Sequence, residues 1–320
     1  MRPVSAVLLL LLSAAGHAAD VYPTKPIRMI LPVAPGGGAD ITARTIAPKL
    51  TEMWGQQVII DNRPGGGGTM GMEIGSRANP DGYTVIQSSI GPSAIDVSLH
   101  SKLPYDPVKD FTPIARGVSA LNVLVVHSSL PVRSVKELIS HAKANPAKLN
   151  FGSSGVGHAD HLAGELFKTL TGVKMEHVAY KGGAPAMTEL LGGNIELIFA
   201  TVSTAVPYMK SGRIRPIAVT SEKRVALFSD IPTVAESGVP GFAVDNWYCF
   251  LGPRGMSKTI AAKLHTDFNR AFENPEVVKR LEGLGIFPFL LPTPDAFAAY
   301  LRSEIAKYAR IVKEAGIPTD

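Results

Sequence analysis

The chain has 320 residues, 45% of them hydrophobic, one cysteine, and a formal charge of +5 from 32 basic and 27 acidic side chains. The basic residues are scattered, with no run or arm that would track a phosphate backbone, so nucleic acid is not an expected partner and only a mild field favouring small anions remains. The lone Cys249, in Trp247-Tyr248-Cys249-Phe250-Leu251, cannot form an internal disulfide and reads as a buried small hydrophobe, so stability has to come from packed apolar cores.

Arg2, the apolar run from Val4 to Leu12, and Ser13-Ala14-Ala15-Gly16-His17-Ala18 form the three-part pattern of a secretory signal peptide. The apolar run is too short to anchor in a bilayer, small Gly16 and Ala18 suit a cut after Ala18, and no cysteine stands there to take a lipid. Loss of residues 1–18 leaves 302 of the 320 and takes Arg2 with it, which lowers the charge from +5 to +4. No later stretch approaches about 18 uninterrupted apolar residues, so the exported chain is expected to be soluble.

Strand-like runs then alternate with helical patterns. Ile27 to Val33 leads through Pro35-Gly36-Gly37-Gly38-Ala39-Asp40 to a helix ending near Trp54; Val58 to Ile60 leads through Asn62-Arg63-Pro64 and four glycines to a shorter helix; Thr84 to Gln87 ends at Ser88-Ser89. After Phe111-Thr112-Pro113 come a strand at Leu121 to Val126 and a helix at Ser134 to Ala144, where Glu137 stands at the capping-box position. A strand at Leu149 to Gly152 precedes Ser153-Ser154-Gly155-Val156-Gly157 and a helix around His161 to Leu170; Met175 to Val178 precedes Tyr180-Lys181-Gly182-Gly183 and a helix at Ala184 to Leu191; strands at Ile195 to Phe199 and Ile214 to Val219 follow. The βαβ rhythm predicts an α/β fold with mostly parallel sheets. Thr293-Pro294 opens a closing helix whose Phe297, Leu301, Ile305 and Tyr308 form a core-facing stripe. The terminal helices are too few for a domain of their own. They are expected to return to a first lobe, residues 22–120 plus 235–320, with a second lobe at 121–234 and a hinge and cleft between them.

Glycine-rich loops between strand ends and helix starts suit anions, because unpaired helix N-terminal N–H groups point there. The first such loop is Pro35 to Asp40, with Asp40 expected to cap its helix by accepting from residues 42 or 43. The second, Gly65 to Gly71, contains GxGxxG, but Asn62-Arg63-Pro64 separates the glycines from the strand and Asp81 lies in a turn and not at a strand end, so close backbone packing is the preferred reading. The third, Gly152 to His161, gathers hydroxyls, N–H groups and histidines that suit a carboxylate. Ser153 and Ser154 lie in no GxSxG elbow, and His158 and His161 with Asp160 supply too few ligands for a metal.

Tyr22-Pro23-Thr24-Lys25-Pro26-Ile27-Arg28, Ala34-Pro35-Gly36-Gly37 with Asp40, and Val58-Ile59-Ile60-Asp61-Asn62-Arg63-Pro64-Gly65 resemble the substrate receptors of tripartite tricarboxylate transporters, the Bordetella uptake gene (Bug) family. So do Leu103-Pro104-Tyr105-Asp106, Ser153-Ser154-Gly155-Val156-Gly157 with His161-Leu162, Tyr180-Lys181-Gly182, Arg215 to Thr220, Pro232 to Gly238 and Trp247, in order along the chain. The resemblance implies a type II periplasmic binding protein whose two lobes close on a small organic acid. It implies no cofactor, no metal and no catalysis, a monomeric carrier, and delivery to membrane permease subunits or a sensor. The carboxylate site it implies comprises Pro35, Gly36, Gly37, Gly38, Asp40, Ser88, Ser89, Ser153, Ser154, Gly155, Gly157, His161, Tyr180 and Thr201. Ala200 stands where many relatives carry Asp, which favours a plain acid over an amino acid. His158 replaces a small residue and brings a bulky side chain toward the cleft mouth. The alternatives from other classes are an exported serine-dependent hydrolase, which requires a base within about 3 Å of a serine oxygen in the cleft, and a non-catalytic structural protein of the envelope.

Overall fold

Two β-sheets organise the computed structural model, which describes residues 22–314 together with 316, 317 and 319. The expected signal segment, residues 1–18, lies outside the described residues. β1 (Ile27–Leu31) leads into α1 (Gly38–Trp54), β2 (Val58–Asn62) into α2 (Thr69–Ser76), and β3 (Thr84–Ser89) toward the short α3 (Asp96–Leu99). β4 (Phe111–Ala120) runs into β5 (Asn122–His127) with only Leu121 between them. Then follow α4 (Val135–Ala144), β6 (Asn150–Ser153), α5 (Ala159–Thr171), β7 (Glu176–Ala179), α6 (Gly183–Leu191), β8 (Leu197–Thr201), α7 (Val202–Lys210) and β9 (Ile214–Val219). The chain closes with β10 (Trp247–Pro253), α8 (Lys258–Glu273), α9 (Pro275–Glu282), β11 (Ile286–Pro288) and α10 (Pro294–Glu314).

The sheets run β2-β1-β3-β10-β4-β11 and β7-β6-β8-β5-β9. Each lobe sets its second, first and third strands side by side in parallel, then takes in one antiparallel strand that arrives from the other lobe, β10 in the first and β5 in the second. This is the two-lobed α/β binding-protein fold the sequence predicts, but the sheets are mixed and not mostly parallel, with four parallel and five antiparallel strand pairs among the described residues, because β10, β5 and the edge strand β11 all pair antiparallel with their neighbours. Strands such as β1 are buried along most of their length because helices cover both faces, which is why they read as continuous apolar runs.

The visiting strands make the hinge. Ala120 N–H donates to Asn246 O at 2.9 Å and Asn246 Nδ2–H to Asn122 Oδ1 at 3.1 Å, so the two crossing segments lie side by side. Residues 235–244, which the sequence reading gives to the first lobe, pack on the second: Val244 N–H donates to Thr220 O, and Phe242 stacks on Phe199 with ring centroids 6.0 Å apart. This stretch has no helical or strand period, so its sequence carries no sign of the sheet it covers.

The closing helices return to the first sheet. Trp54 Nε1–H donates to the buried Asp267 at 2.7 Å, joining α1 to α8. Phe297, Leu301 and Tyr308 are buried along α10, and Trp247 Nε1–H donates to Glu304 Oε2 at 2.8 Å. In the second lobe His177 stands 2.6 Å from Ser153 Oγ and stacks on Phe151 and His161, with centroids 4.9 and 4.2 Å away. Burial lowers both rings, His161 to about 4 and His177 to about 3, so both are neutral.

Trp247→Phe strips the buried Glu304 of its indole donor and is expected to cost about 1–3 kcal/mol in urea unfolding. The histidines bind fewer protons folded than unfolded, where the ordinary value is about 6.5. The stability they confer is therefore complete above that pH and lost as pH falls toward 4 and 3. Melting temperature measured from pH 7 to 4 is expected to drop, and to drop less in the double variant His161→Gln, His177→Asn.

Candidate functional site

The loops after β1, β6 and β7 and the ends of β3 and β8 meet between the lobes around a cavity of about 40 Å³. Gly37, Gly38, Ser89, Ser154 and Thr201, all named from sequence, line it. So do Val33, Ala39, Asn122, His158, Ala159, Asp160, Gly183, Asn246 and Tyr248. Gly38, Ala159 and Gly183 are the first residues of α1, α5 and α6, and Thr201 is the N-cap of α7. Four helix N-termini thus converge on one small volume. First-turn N–H groups have no backbone acceptor within the helix and carry the positive end of the helix dipole, so although His161 N–H is taken by Asp160 Oδ1 and Val202 N–H by Leu121 O, the volume favours an anion with no lysine or arginine among the described residues lining it. The buried Ser89 Oγ also stands there without a hydrogen-bond partner among the described residues.

The other sequence-named residues hold this lining from outside it. Pro35 and Gly36 are exposed at the loop tip. The sequence expectation that Asp40 caps α1 is not met: the cap is Gly37, and Asp40 sits one turn inside. It accepts from Gly36 N–H at 2.9 Å, from Arg44 Nε at 2.8 Å and from Asn62 Nδ2 at 3.0 Å, which ties the loop to its own helix and to β2. Burial pulls its pKa up, but those donors outweigh it and hold the carboxyl below its ordinary value. Ser88 accepts from Ser93 Oγ at 2.7 Å behind β3. Ser153 Oγ accepts from Gly155 N–H, and His161 Nδ1 accepts from Gly157 N–H at 3.2 Å. Gly155 and Tyr180 line a larger outer cavity of about 530 Å³ with Lys102 and Lys181. Cys249 is fully buried, and burial pushes its thiol up to about 12.

Glycine faces glycine where the lobes touch. A Cβ on Gly67 would sit 2.5 Å from Val156 O, one on Gly91 3.0 Å from Gly157 O, and one on Gly37 3.6 Å from Gly183 N. Ala34 N–H donates across the gap to Lys181 O at 2.9 Å. The four-glycine loop is a packing element, as the sequence reading prefers. His158, placed by sequence at the cleft mouth, is buried and spans the same gap, its Nε2 3.0 Å from Gly67 O. Burial lowers its pKa, so the ring is neutral and Nε2 carries the donated hydrogen.

Two serine contacts have the spacing a hydrolase requires. Ser153 Oγ meets His177 at 2.6 Å but is fully buried and absent from the cavity lining. Ser154 Oγ–H donates to Asp160 Oδ2 at 2.6 Å at the cavity wall, and the same oxygen accepts Ser154 N–H at 2.7 Å. Asn122, Asn246 and Tyr248, which sequence reasoning missed, enter the lining through the visiting strands. Their one local sign is an asparagine at the edge of an apolar run.

Known proteins share this architecture. Residues 42–317 match the model of the tripartite tricarboxylate transporter family receptor. Protein BugT of Bordetella pertussis is 34% identical over 99% of this chain and 98% of its own. A solved R. palustris protein with adipate superposes with a TM-score of 0.90 at 36% identity, covering 93% of this chain and all of that one. The periplasmic binding protein BugD superposes with 0.89 at 32% identity and the same coverage. The chain belongs to the tripartite tricarboxylate transporter receptor family, with the Bug proteins among its members.

Proposed function

We propose that this chain is a periplasmic receptor that captures a small organic carboxylate between its lobes, performs no chemistry on it, and presents the closed form to membrane permease subunits or a sensor. The convergence of four helix N-termini and the unpartnered Ser89 hydroxyl on the interlobe cavity carries this reading. The carboxylate of adipate in a similar structure and the periplasmic site of BugD support it. The ligand contacts are Gly37, Gly38, Ser89, Ser154 and Thr201 with Asn122 and Tyr248, while Pro35, Gly36, Asp40, Ser88, Ser153, Gly157 and His161 fix the loops and Gly155 and Tyr180 form the entrance. The moving bodies are residues 22–120 with 246–320, and 121–245, and the carrier works as a monomer. A serine-dependent hydrolase is the second reading, favoured by the Ser154 to Asp160 contact at 2.6 Å.

After unfolding and refolding to strip any copurified ligand, a panel of carboxylic acids is expected to contain one that raises the melting temperature by roughly 3–8 °C at a hundredfold excess over its Kd. No rise with any acid, together with ester turnover abolished by Ser154→Ala, would favour the hydrolase. Gly67→Ala brings a methyl within 2.5 Å of Val156 O and is expected to weaken the acid at least tenfold. Gly172→Ala serves as its control, with a similar left-handed φ of +70° and nothing within 4 Å, and should lower stability without changing affinity.

A further inference from the structure

The cavity that attracts an anion also contains a carboxylate of its own. Asp160, the second residue of α5, lines it and is 5% exposed. Its Oδ2 accepts from Ser154 N–H at 2.7 Å and Ser154 Oγ–H at 2.6 Å, and its Oδ1 from His161 N–H at 3.0 Å. A carboxylate offers about four acceptor positions, so about one remains. Among the described residues the lining contains no lysine or arginine, the lysine on the same helix, Lys168, pairs with Glu165, and the neighbouring His158 is neutral. A buried negative charge thus faces the ligand with hydrogen bonds but no cation. A ligand that is anionic throughout would bring a like charge against it, whereas an ammonium would supply the missing opposite charge and fill the remaining acceptor position.

We infer that Asp160 sets specificity, and that the cleft takes an acid bearing an ammonium group beside its carboxylate in preference to the plain acid of the same length. This rests on the carboxylate-receptor reading above. It reverses the preference drawn from Ala200: the acceptor absent on β8 is supplied by α5. A hydroxyl, a donor without charge, ranks between the two.

Matched ligands test it by isothermal titration of the refolded chain: aspartate, malate and succinate, and 2-aminoadipate with adipate. In at least one series the aminated acid is expected to bind ten or more times as tightly as the plain one. Asp160→Asn, which keeps an acceptor for Ser154, is expected to cut the aminated acid at least tenfold and to strengthen the plain acid. Asp160→Ser serves the same purpose should the first variant not refold. A native preference for the plain acid, or an Asp160→Asn change equal for both members of a series, would overturn the inference and leave the receptor reading standing. Failure of every acid in the broader panel would overturn the receptor reading itself.

Discussion

A single methyl on Gly67 would stand 2.5 Å from the carbonyl oxygen of Val156, and that clearance sets how closely the two lobes meet. Backbone reaches backbone along this seam, because Gly37 faces Gly183 and Gly91 faces Gly157. Side chains there would hold the helix N-termini of one lobe away from those of the other. The proposed anion site draws its lining from both lobes, so it depends on their close approach. The φ of +62° at Gly67 adds a second reason for glycine, since a side chain in the left-handed region is strained whatever the space around it.

The hinge follows from the topology. β5 and β10 each leave one sheet and insert antiparallel into the other, and the Ala120, Asn122 and Asn246 hydrogen bonds hold the crossings together. Two short connections, side by side and running in opposite directions, permit rotation about their shared line with little change inside either core. They also carry Asn122, Asn246 and Tyr248 to the cavity, so residues beside the crossings are also residues of its lining. Electrostatics at the site come from helix ends, neutral side chains and one carboxylate. Burial keeps His158 uncharged, and Asp160 is the one carboxylate among the described residues of the lining. In the proposed mode, oriented N–H groups hold the acid and one carboxylate discriminates the remainder of the molecule.

Much of this was legible in the sequence because its signals are local. The strand and helix alternation, the glycine loops at helix starts, and the stripe of Phe297, Leu301 and Tyr308 each follow from backbone period or turn chemistry. Ser134 and Glu137 show the same: Ser134 Oγ accepts Glu137 N–H at 3.2 Å, and Glu137 reaches back to Arg133 N–H at 2.8 Å, one residue before the cap. The illegible parts depend on which segments meet in space. Asp40 has the spacing of a cap, yet the chain places it one turn in, where Arg44 and Asn62 take its oxygens. Nine of the residues named for the ligand lie outside the lining of the inner cavity, because a motif marks a loop without saying which of its atoms face inward. Asp160 was visible as a letter, but its position at the cavity wall depends on Ser154 and on the turn that starts α5.

Small-angle X-ray scattering tests the closing cleft most directly. The refolded, ligand-stripped chain would be measured before and after addition of the acid that raises its melting temperature. The account predicts a smaller radius of gyration with the acid, and a reduced change in Gly67→Ala at saturating acid. An unchanged radius in the native chain at saturation would contradict closure of two lobes on the solute.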